Sequence, residues 1–401
     1  MEKFLYIGYA VDRKLEKELK GISVAGNKMQ VNFLREMCRC LGENLYAITI
    51  YPVSAYPLYK KLLISYNIQY ICDEECLDGK RIILNAKVPF IFNLPIIKNL
   101  FEIYSTYRSA LKLVSKHNID TIILFNSFPP TAFAAQKLKK KFGCKVICLL
   151  ADLPIDDSIK TNGIKKILRN IFQNYTERAI KKTDKLIVLN SEVVNLYAPD
   201  IPYIVVEGAV RKSDIPPFKY ICSFRKNIVF TGALQKYNGI VELIEAMKLL
   251  KNSNVELDIY GQGEFLDYVK EACEEYSNIH YCGFCSNEEI MQIQREAYLL
   301  INPRPTDDFI AKVTFPSKIF EYMTSGTPVL STKLNGYTQE FIDNMYIIEE
   351  NTPQCIADTI ESVTMLSDND LKEKAYSAYK MIVETKNWKM QTEKIINFIN
   401  Q

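Results

Sequence analysis

DTIILFNSFPPTAFAAQKLKKKFGCKVICLLAD, residues 120–152, carries the pattern on which the fold turns. Two continuous apolar runs, 120–126 and 145–152, flank a segment of helical period at 131–142. Apolar runs that do not alternate with polar residues belong to strands covered on both faces. A helix between two such strands makes them parallel neighbours. Working outward, LYIGYAV (5–11), NLYAITIY (44–51), DKLIVLN (184–190) and PYIVVE (202–207) repeat the strand signal. Between the first two lies a helix at 27–42, with Met29, Phe33, Leu34, Met37 and Leu41 on one face.

The alternation pauses after Gly208. RKSDIPPFK (211–219) is polar and holds Pro216-Pro217, which reads as a linker. It then restarts with NIVFTG (227–232), VELDIYG (255–261), NIHYCG (278–283), AYLLINP (297–303), TPVLST (327–332) and MYIIEE (345–350). Helices are expected at 239–251, 264–276 and 287–296, the last opened by a capping box of Ser286 and Glu289. The expectation is two doubly wound α/β domains, 1–210 and 211–385, each with a ligand crevice at the carboxyl ends of its strands. No G-x-G-x-x-G follows the first strand, which argues against an ordinary dinucleotide dehydrogenase. No repeat of 20–50 residues appears, so a solenoid is excluded.

Composition narrows the classes further. The chain has 401 residues, 48% hydrophobic and 24% charged, with a net charge of +3. That near-neutrality excludes a strongly basic nucleic-acid binder, but it is an average. Residues 1–200 carry 30 Lys and Arg against 19 Asp and Glu, whereas residues 201–401 carry 20 against 28. A basic first half suits an anionic acceptor or membrane surface. Residues 91–116 and 165–182 mix apolar and basic side chains, and Lys137, Lys139, Lys140 and Lys141 extend the basic character. Such helices either lie on a membrane or simply pack on the sheet. No apolar run is long enough to span a bilayer. Eleven cysteines without a secretory leader read as reduced thiols of a cytoplasmic protein. The lone pair Cys282 and Cys285 reads as two half-buried thiols. With only His117 and His280 present, a three-histidine metal site is excluded.

The segment FPSKIFEYMTSGTPVL (315–330) carries the chemistry. Ser317 reads as the N-cap of a short helix that Gly326 ends. The open amides of a helix start suit a phosphate, and Lys318 adds a mobile cation there. Glu321, one turn deeper, could accept two hydrogen bonds from the vicinal hydroxyls of a ribose. The same letters also spell a plain capped helix with an exposed glutamate. Three further loops end strands of the same domain: Thr231-Gly232 followed by Lys236, Gly261-Gln262-Gly263, and Asn302-Pro303-Arg304. Arg304 suits a diphosphate, since a guanidinium can bind it in bidentate fashion.

Taken in order, VFTGAL (229–234), IYGQGE (259–264), NIHYCGFCSNEEI (278–290), INPR (301–304) and FPSKIFEYMTSGTPVLST (315–332) resemble the family 4 glycosyltransferases. These are group 1 enzymes of the two-domain GT-B fold, and the FPSKIFEY version resembles a surface-polysaccharide branch. The resemblance implies a nucleotide-diphosphate sugar on the second domain and a glycan or polyprenyl-diphosphate-linked acceptor on the first, with no nucleic acid as partner. It puts Glu321 on the ribose glutamate, and Ser317 and Lys318 where amides meet the donor phosphates, with Gly232 and Gly261 in the donor loops. It also implies that the helix at 386–401, which includes Trp388, returns to the first domain. Four positions depart from the family pattern. Val313 replaces a second glutamate, Ala233 an arginine and Asn238 a lysine that Lys236 could replace, and no histidine lies near Asp152.

The leaving diphosphate then needs no metal or other cofactor, because Lys236, Arg304, Lys318 and the helix starting near Ser317 supply the positive charge. Asp152, at a strand end, is either a catalytic carboxylate or a loop cap. Gly26 and Asn27 are either an acceptor anchor or an ordinary helix start. Asp368-Asn369-Asp370 reads as a cap, and Asp307 and Asp308 as solvated charge. The expected setting is the cytoplasm, either free or peripheral on the inner membrane face. Two rival functions remain: a sugar-nucleotide epimerase, which the histidine shortage disfavours, and a non-catalytic binding partner, which Val313, Ala233 and Asn238 favour.

Overall fold

Residues 120–152 form two parallel strands joined by a helix in the computed structural model, which describes residues 2–12, 15–16, 23–64, 67–71, 83–95, 97–152, 164–223 and 225–401. The chain divides into two units, Met1–Val206 with Trp388–Gln401, and Glu207–Asn387.

Unit 1 is built on strands β1 (Phe4–Gly8), β2 (Leu45–Thr49), β3 (Asn67–Ile71), β4 (Ile83–Lys87), β5 (Thr121–Phe125), β6 (Lys145–Leu150), β7 (Lys185–Val188) and β8 (Tyr203–Val205). Their order is β8-β7-β6-β5-β1-β2-β4-β3, all parallel except β3, which pairs antiparallel with β4 at the edge. A separate antiparallel pair joins Leu63–Ile64 to Ile91–Phe92. The chain leaves β1 in one direction and β5 in the other, so the crevice between the carboxyl ends of these two strands is the switch point. Burial explains the apolar runs: β1 and β5 are buried at every position. Helices α1 (Val24–Leu41), α2 (Ile97–His117), α3 (Pro129–Phe142), α4 (Ile164–Ile180) and α5 (Glu192–Tyr197) fill the connections. The edge pair β3 and β4 lies outside the expected strands, because a short antiparallel hairpin between two crossovers has no strand–helix period to betray it.

Unit 2 alternates with greater regularity. Its strands are β9 (Lys226–Thr231), β10 (Val255–Tyr260), β11 (Ile279–Gly283), β12 (Leu299–Asn302), β13 (Val329–Thr332) and β14 (Tyr346–Ile348), in the order β11-β10-β9-β12-β13-β14, all parallel. Its helices are α6 (Ile240–Leu249), α7 (Leu266–Glu275), α8 (Asn287–Glu296), α9 (Phe309–Val313), α10 (Lys318–Ser325), α11 (Gln339–Asp343), α12 (Pro353–Thr364) and α13 (Asp368–Thr385). The switch point lies between β9 and β12. Ser286 and Glu289 form the capping box expected for α8. Ser367 and Asp370 form a second one at α13, so the D-x-D spelling there is a cap.

The last helix, α14 (Trp388–Asn400), belongs to unit 1 and packs on α1. Lys185 of β7 holds its end, donating to the carbonyls of Phe398 (2.6 Å) and Ile399 (3.2 Å) with its ammonium 4.9 Å over the Phe398 ring. Nine described cysteines are free thiols; Cys282 is exposed and Cys285 half-buried.

Candidate functional site

The carboxyl ends of β9 and β12 bring the expected donor loops of unit 2 together. Gly232 follows β9 with φ 144°, and its N–H donates to the carbonyl of Tyr260 (3.0 Å). Gly261 follows β10 at φ 151°, so close to its neighbour that a Cβ would stand 1.8 Å from the Gly232 carbonyl oxygen. Only glycine permits that approach of two backbones. Gly261 therefore shapes the floor of the site through Gly232. Lys236 is exposed on a single turn, Lys236–Asn238, beyond Gly232. Asn238 ties that turn back, donating to the Ala233 carbonyl (2.8 Å).

Lys318 departs from the expectation of a mobile cation. Its Nζ is enclosed by protein and has no hydrogen-bond partner among the described residues. The ammonium lies 4.4 Å from the Phe230 ring centroid and 5.8 Å from that of Tyr322, and about 3.9 Å from where a Cβ on Gly232 would stand. Aromatic faces attract a cation but offer no lone pair. Desolvation, then the nearby Arg304 charge, lower its pKa to about 7. An ammonium held in this way is short of an anionic partner.

Ser317 also departs from its expectation. It adopts helical dihedrals and its side chain makes no capping bond. The turn begins one step earlier, with Ile319 and Phe320 amides donating to Pro316 (3.1 Å) and Ser317 (3.2 Å) carbonyls. The amides left to meet a ligand at this end are those of Ser317 and Lys318. Glu321 is exposed on α10, one turn in. Arg304 is only 6% exposed. Its Nε donates to the Tyr237 carbonyl (3.2 Å), its Nη1 to Thr314 Oγ1 (3.1 Å), and its plane lies over the Tyr237 ring. Two of its five N–H donors are thus spent on the protein, which leaves one Nη1 and both Nη2 protons for a ligand. Burial lowers its pKa from the ordinary arginine value. Val313 is buried in α9, and Asp308 caps that helix, accepting from the amides of Ile310 (2.8 Å) and Ala311 (3.2 Å) rather than standing as solvated charge.

In unit 1 the expected acceptor anchors are spoken for. Ser23 caps α1 and accepts from the Gly26 amide (3.1 Å). Asn27 is buried, accepting from the Val11 amide (2.8 Å) and donating to the Val11 carbonyl (3.0 Å) and to the Glu16 carboxylate. Asn27 thus pins the loop after β1, while the Gly26 amide is used by the cap of its own helix. Asp152 stands at the end of β6. Asn126 holds it: Nδ2 donates to the Asp152 carboxylate (2.7 Å), while Oδ1 accepts from the amides of Ala151 (2.8 Å) and Asp152 (3.0 Å). Desolvation raises the Asp152 pKa, against the pull of the Asn126 bond. Beside them the Ser127 hydroxyl is buried without a partner among the described residues. Neither Asn126 nor Ser127 stands out in the sequence.

Residues 223–381 match the model of the family described as glycosyl transferases group 1. The match lies within unit 2 and covers under half of the chain. The chain is 27% identical over 180 residues to an uncharacterised glycosyltransferase of Methanocaldococcus jannaschii, a match covering 43% of this chain and 44%, under half, of that relative. Two solved structures are similar over nearly the whole chain. A glycosyltransferase of Rickettsia africae superposes with a TM-score of 0.63 at 14% identity, covering 99% of this chain and 97% of that one. The Anabaena protein HepE, solved in complex with UDP, superposes at 0.62 and 13% identity, covering 99% of each chain. At such identity these likenesses establish the fold, which is GT-B: two Rossmann-like units.

A buried network in unit 2, which no local pattern announces, fixes the Gly232 loop. The Tyr322 hydroxyl accepts from the Thr231 amide (3.0 Å) and meets Thr231 Oγ1 (3.0 Å), which also accepts from Gln294 Nε2 (3.2 Å). Thr327 Oγ1 in turn donates to the Gln294 carbonyl (2.7 Å). Helices α8 and α10 thereby hold the residue that precedes Gly232. Tyr322→Phe is expected to orphan a buried amide and to cost about 1–3 kcal/mol in stability. Urea unfolding together with hydrogen exchange at Thr231 checks this; an unchanged midpoint with full protection refutes it.

Proposed function

We propose that the protein transfers a sugar from a nucleoside-diphosphate sugar to a hydroxyl of a glycan or polyprenyl-diphosphate-linked acceptor, with retention of anomeric configuration and without a metal ion. The observation that carries this reading is Lys318, a buried ammonium without a partner facing the Gly232 loop of a group 1 domain. In the reaction the bond from the anomeric carbon to the diphosphate breaks, the acceptor oxygen bonds to that carbon, and the acceptor proton is lost. The diphosphate leaves with added negative charge. Lys318, the remaining Arg304 donors, Lys236 and the amides of Ser317 and Lys318 stabilise that charge. Glu321 accepts the ribose hydroxyls. Asp152 of unit 1, held by Asn126, is the carboxylate we assign to the acceptor. The FPSKIFEY resemblance supports a cell-surface polysaccharide as the product, and the basic unit 1 supports work at an anionic membrane on the cytoplasmic side.

Val313 supports a second reading, a donor-binding partner that does not turn over, since it puts a buried apolar side chain where the resemblance expects a carboxylate. Incubation with a panel of nucleotide sugars and polyprenyl-diphosphate acceptors separates the readings. Acceptor-dependent release of nucleoside diphosphate supports transfer. Isomerised sugar without acceptor means epimerisation, and donor binding without turnover on any acceptor favours the second reading. Glu321→Ala is expected to weaken donor binding by roughly 1–3 kcal/mol, the worth of hydrogen bonds to a charged acceptor, without unfolding an exposed helix position. Calorimetric titration with the donor measures it, and an unchanged affinity removes Glu321 from the site.

A further inference from the structure

Arg304 and Lys318 are both enclosed by protein, and the charge of the first bears on the second. Two like charges in a poorly solvated place repel, and burial penalises each of them. A long arginine side chain relieves both costs by turning its head out to water. Asp308, the carboxylate whose charge reaches Arg304, is engaged as the cap of α9. The inward position of Arg304 is therefore held by something other than an ion pair with that carboxylate.

The holding begins at the backbone. The ladder between β12 and β13 ends with the pair Asn302 and Ser331. Pro303 follows, and it has no N–H with which to extend the ladder. Arg304 lies two residues beyond the strand, and among the described residues no backbone amide donates to its carbonyl. A side chain takes over. Thr332, the last residue of β13 and fully buried, donates its hydroxyl to the Arg304 carbonyl (2.6 Å), with the Asn302 carbonyl as a second, longer acceptor (3.2 Å). Gly239 also packs on this segment, so closely that a Cβ there would stand 1.7 Å from the Pro303 oxygen.

The strand ends that carry these groups are tied in turn. Asn302 Nδ2 donates to Ser331 Oγ (3.0 Å) and to the Tyr337 hydroxyl (3.1 Å), and the two hydroxyls meet at 3.0 Å. All three residues are buried. Apolar side chains of the same shape would fill this volume with little loss of stability, so packing alone does not call for a polar knot. We propose that Thr332 is a positioning residue for Arg304: its hydroxyl fixes the Arg304 backbone, and the knot of Asn302, Ser331 and Tyr337 fixes the strand end from which Thr332 reaches it. With the backbone fixed, the bonds to Tyr237 and Thr314 keep the guanidinium inward, and its remaining protons are aimed at an anion. The inference rests on the diphosphate role given to Arg304 above.

Calorimetric titration of the full chain with UDP, GDP, ADP, CDP and dTDP in turn finds the nucleoside diphosphate that binds best, which then serves as the probe. Thr332→Val keeps the shape and removes the hydroxyl; it is expected to weaken binding about threefold to tenfold, the net worth of one hydrogen bond. Thr332→Ser keeps the hydroxyl and should restore most of the affinity. Arg304→Met should weaken binding as well, and in its presence Thr332→Val should cost nothing further, because no guanidinium is left to aim. A residue that merely stabilises the fold would lose the same factor in both backgrounds. Equal loss in both backgrounds therefore overturns the proposal and leaves the role of Arg304 intact. So does a loss in Thr332→Ser as large as that in Thr332→Val. Unchanged affinity in Arg304→Met, or no binding of any of the five diphosphates, removes the role of Arg304 and the proposal with it.

Discussion

Lys318→Met is expected to lower kcat at least about a hundredfold while raising the melting temperature. A preorganised donor aimed at developing charge is worth on the order of 2.7–4 kcal/mol in the transition state. The same ammonium is a liability in the free protein, because it is buried over two rings with no acceptor. Methionine fills a similar volume without the desolvation cost, so each kcal/mol regained should raise the melting temperature of a unit this size by about 2–4 °C. Opposite movement of activity and stability separates a ligand-binding role from a structural one; a fall in both would sink it. The pH dependence has its origin in the same burial. With its pKa lowered to about 7, Lys318 is half protonated in the free protein at that pH. A bound diphosphate raises that value, so binding takes up a proton. The donor diphosphate keeps a constant charge in this range, hence affinity should be flat below the free value and fall as pH rises above it, towards about tenfold per unit. Titration calorimetry in buffers of different ionisation enthalpy should find about half a proton taken up at pH 7 and nearly one at pH 8. No uptake, or affinity rising with pH, contradicts this account.

The strand–helix alternation is legible because a parallel sheet buries each strand on both faces and writes a continuous apolar run for each. The loops at the strand ends of unit 2 are legible for a related reason. A crevice at the strand ends is lined by the loops that leave those strands, so Gly232, Gly261 and Arg304 can be named from position alone. Position does not tell how a side chain is spent. Asn27 and Gly26 lie at a helix start that resembles an anchor, yet Asn27 is bonded to the loop after β1 and the Gly26 amide to the Ser23 cap. Ser317 has the letter of a cap, but the chain enters α10 already helical. Lys318 has the sequence position of a mobile cation, yet its enclosure depends on Phe230 and Tyr322, each on a different element. Tyr322 and Gln294 look like ordinary helix residues until β9, α8 and α10 converge on Thr231.

Lys386→Met is expected to destabilise unit 2 by about 3–5 kcal/mol, the usual cost of leaving one member of a buried ion pair alone. The Lys386 ammonium lies 3.1 and 3.2 Å from the two oxygens of Glu207, with side chains only 6% and 1% exposed. Glu340 approaches from the exposed side at 3.1 Å, and the Phe341 ring lies beneath at 5.2 Å. Beside the pair, the Val210 amide donates to the Lys386 carbonyl (2.9 Å) and Val210 bridges Asn387. The pair therefore clasps the first and the penultimate residue of unit 2, which lie 179 positions apart in sequence and offer no local signal. Its attraction must offset the desolvation of both groups, so its net worth is small while the cost of breaking it is large. Lys386→Met with Glu207→Leu should consequently regain most of what the single substitution loses, since no buried charge is then left unpaired. Native-state hydrogen exchange of β9 and β13 amides reads the change in unit 2 itself, apart from unit 1. A double variant no more protected than the single one would mean that the pair is held for its own attraction, and that the clasp, rather than the avoidance of a lone charge, stabilises the ends of the unit.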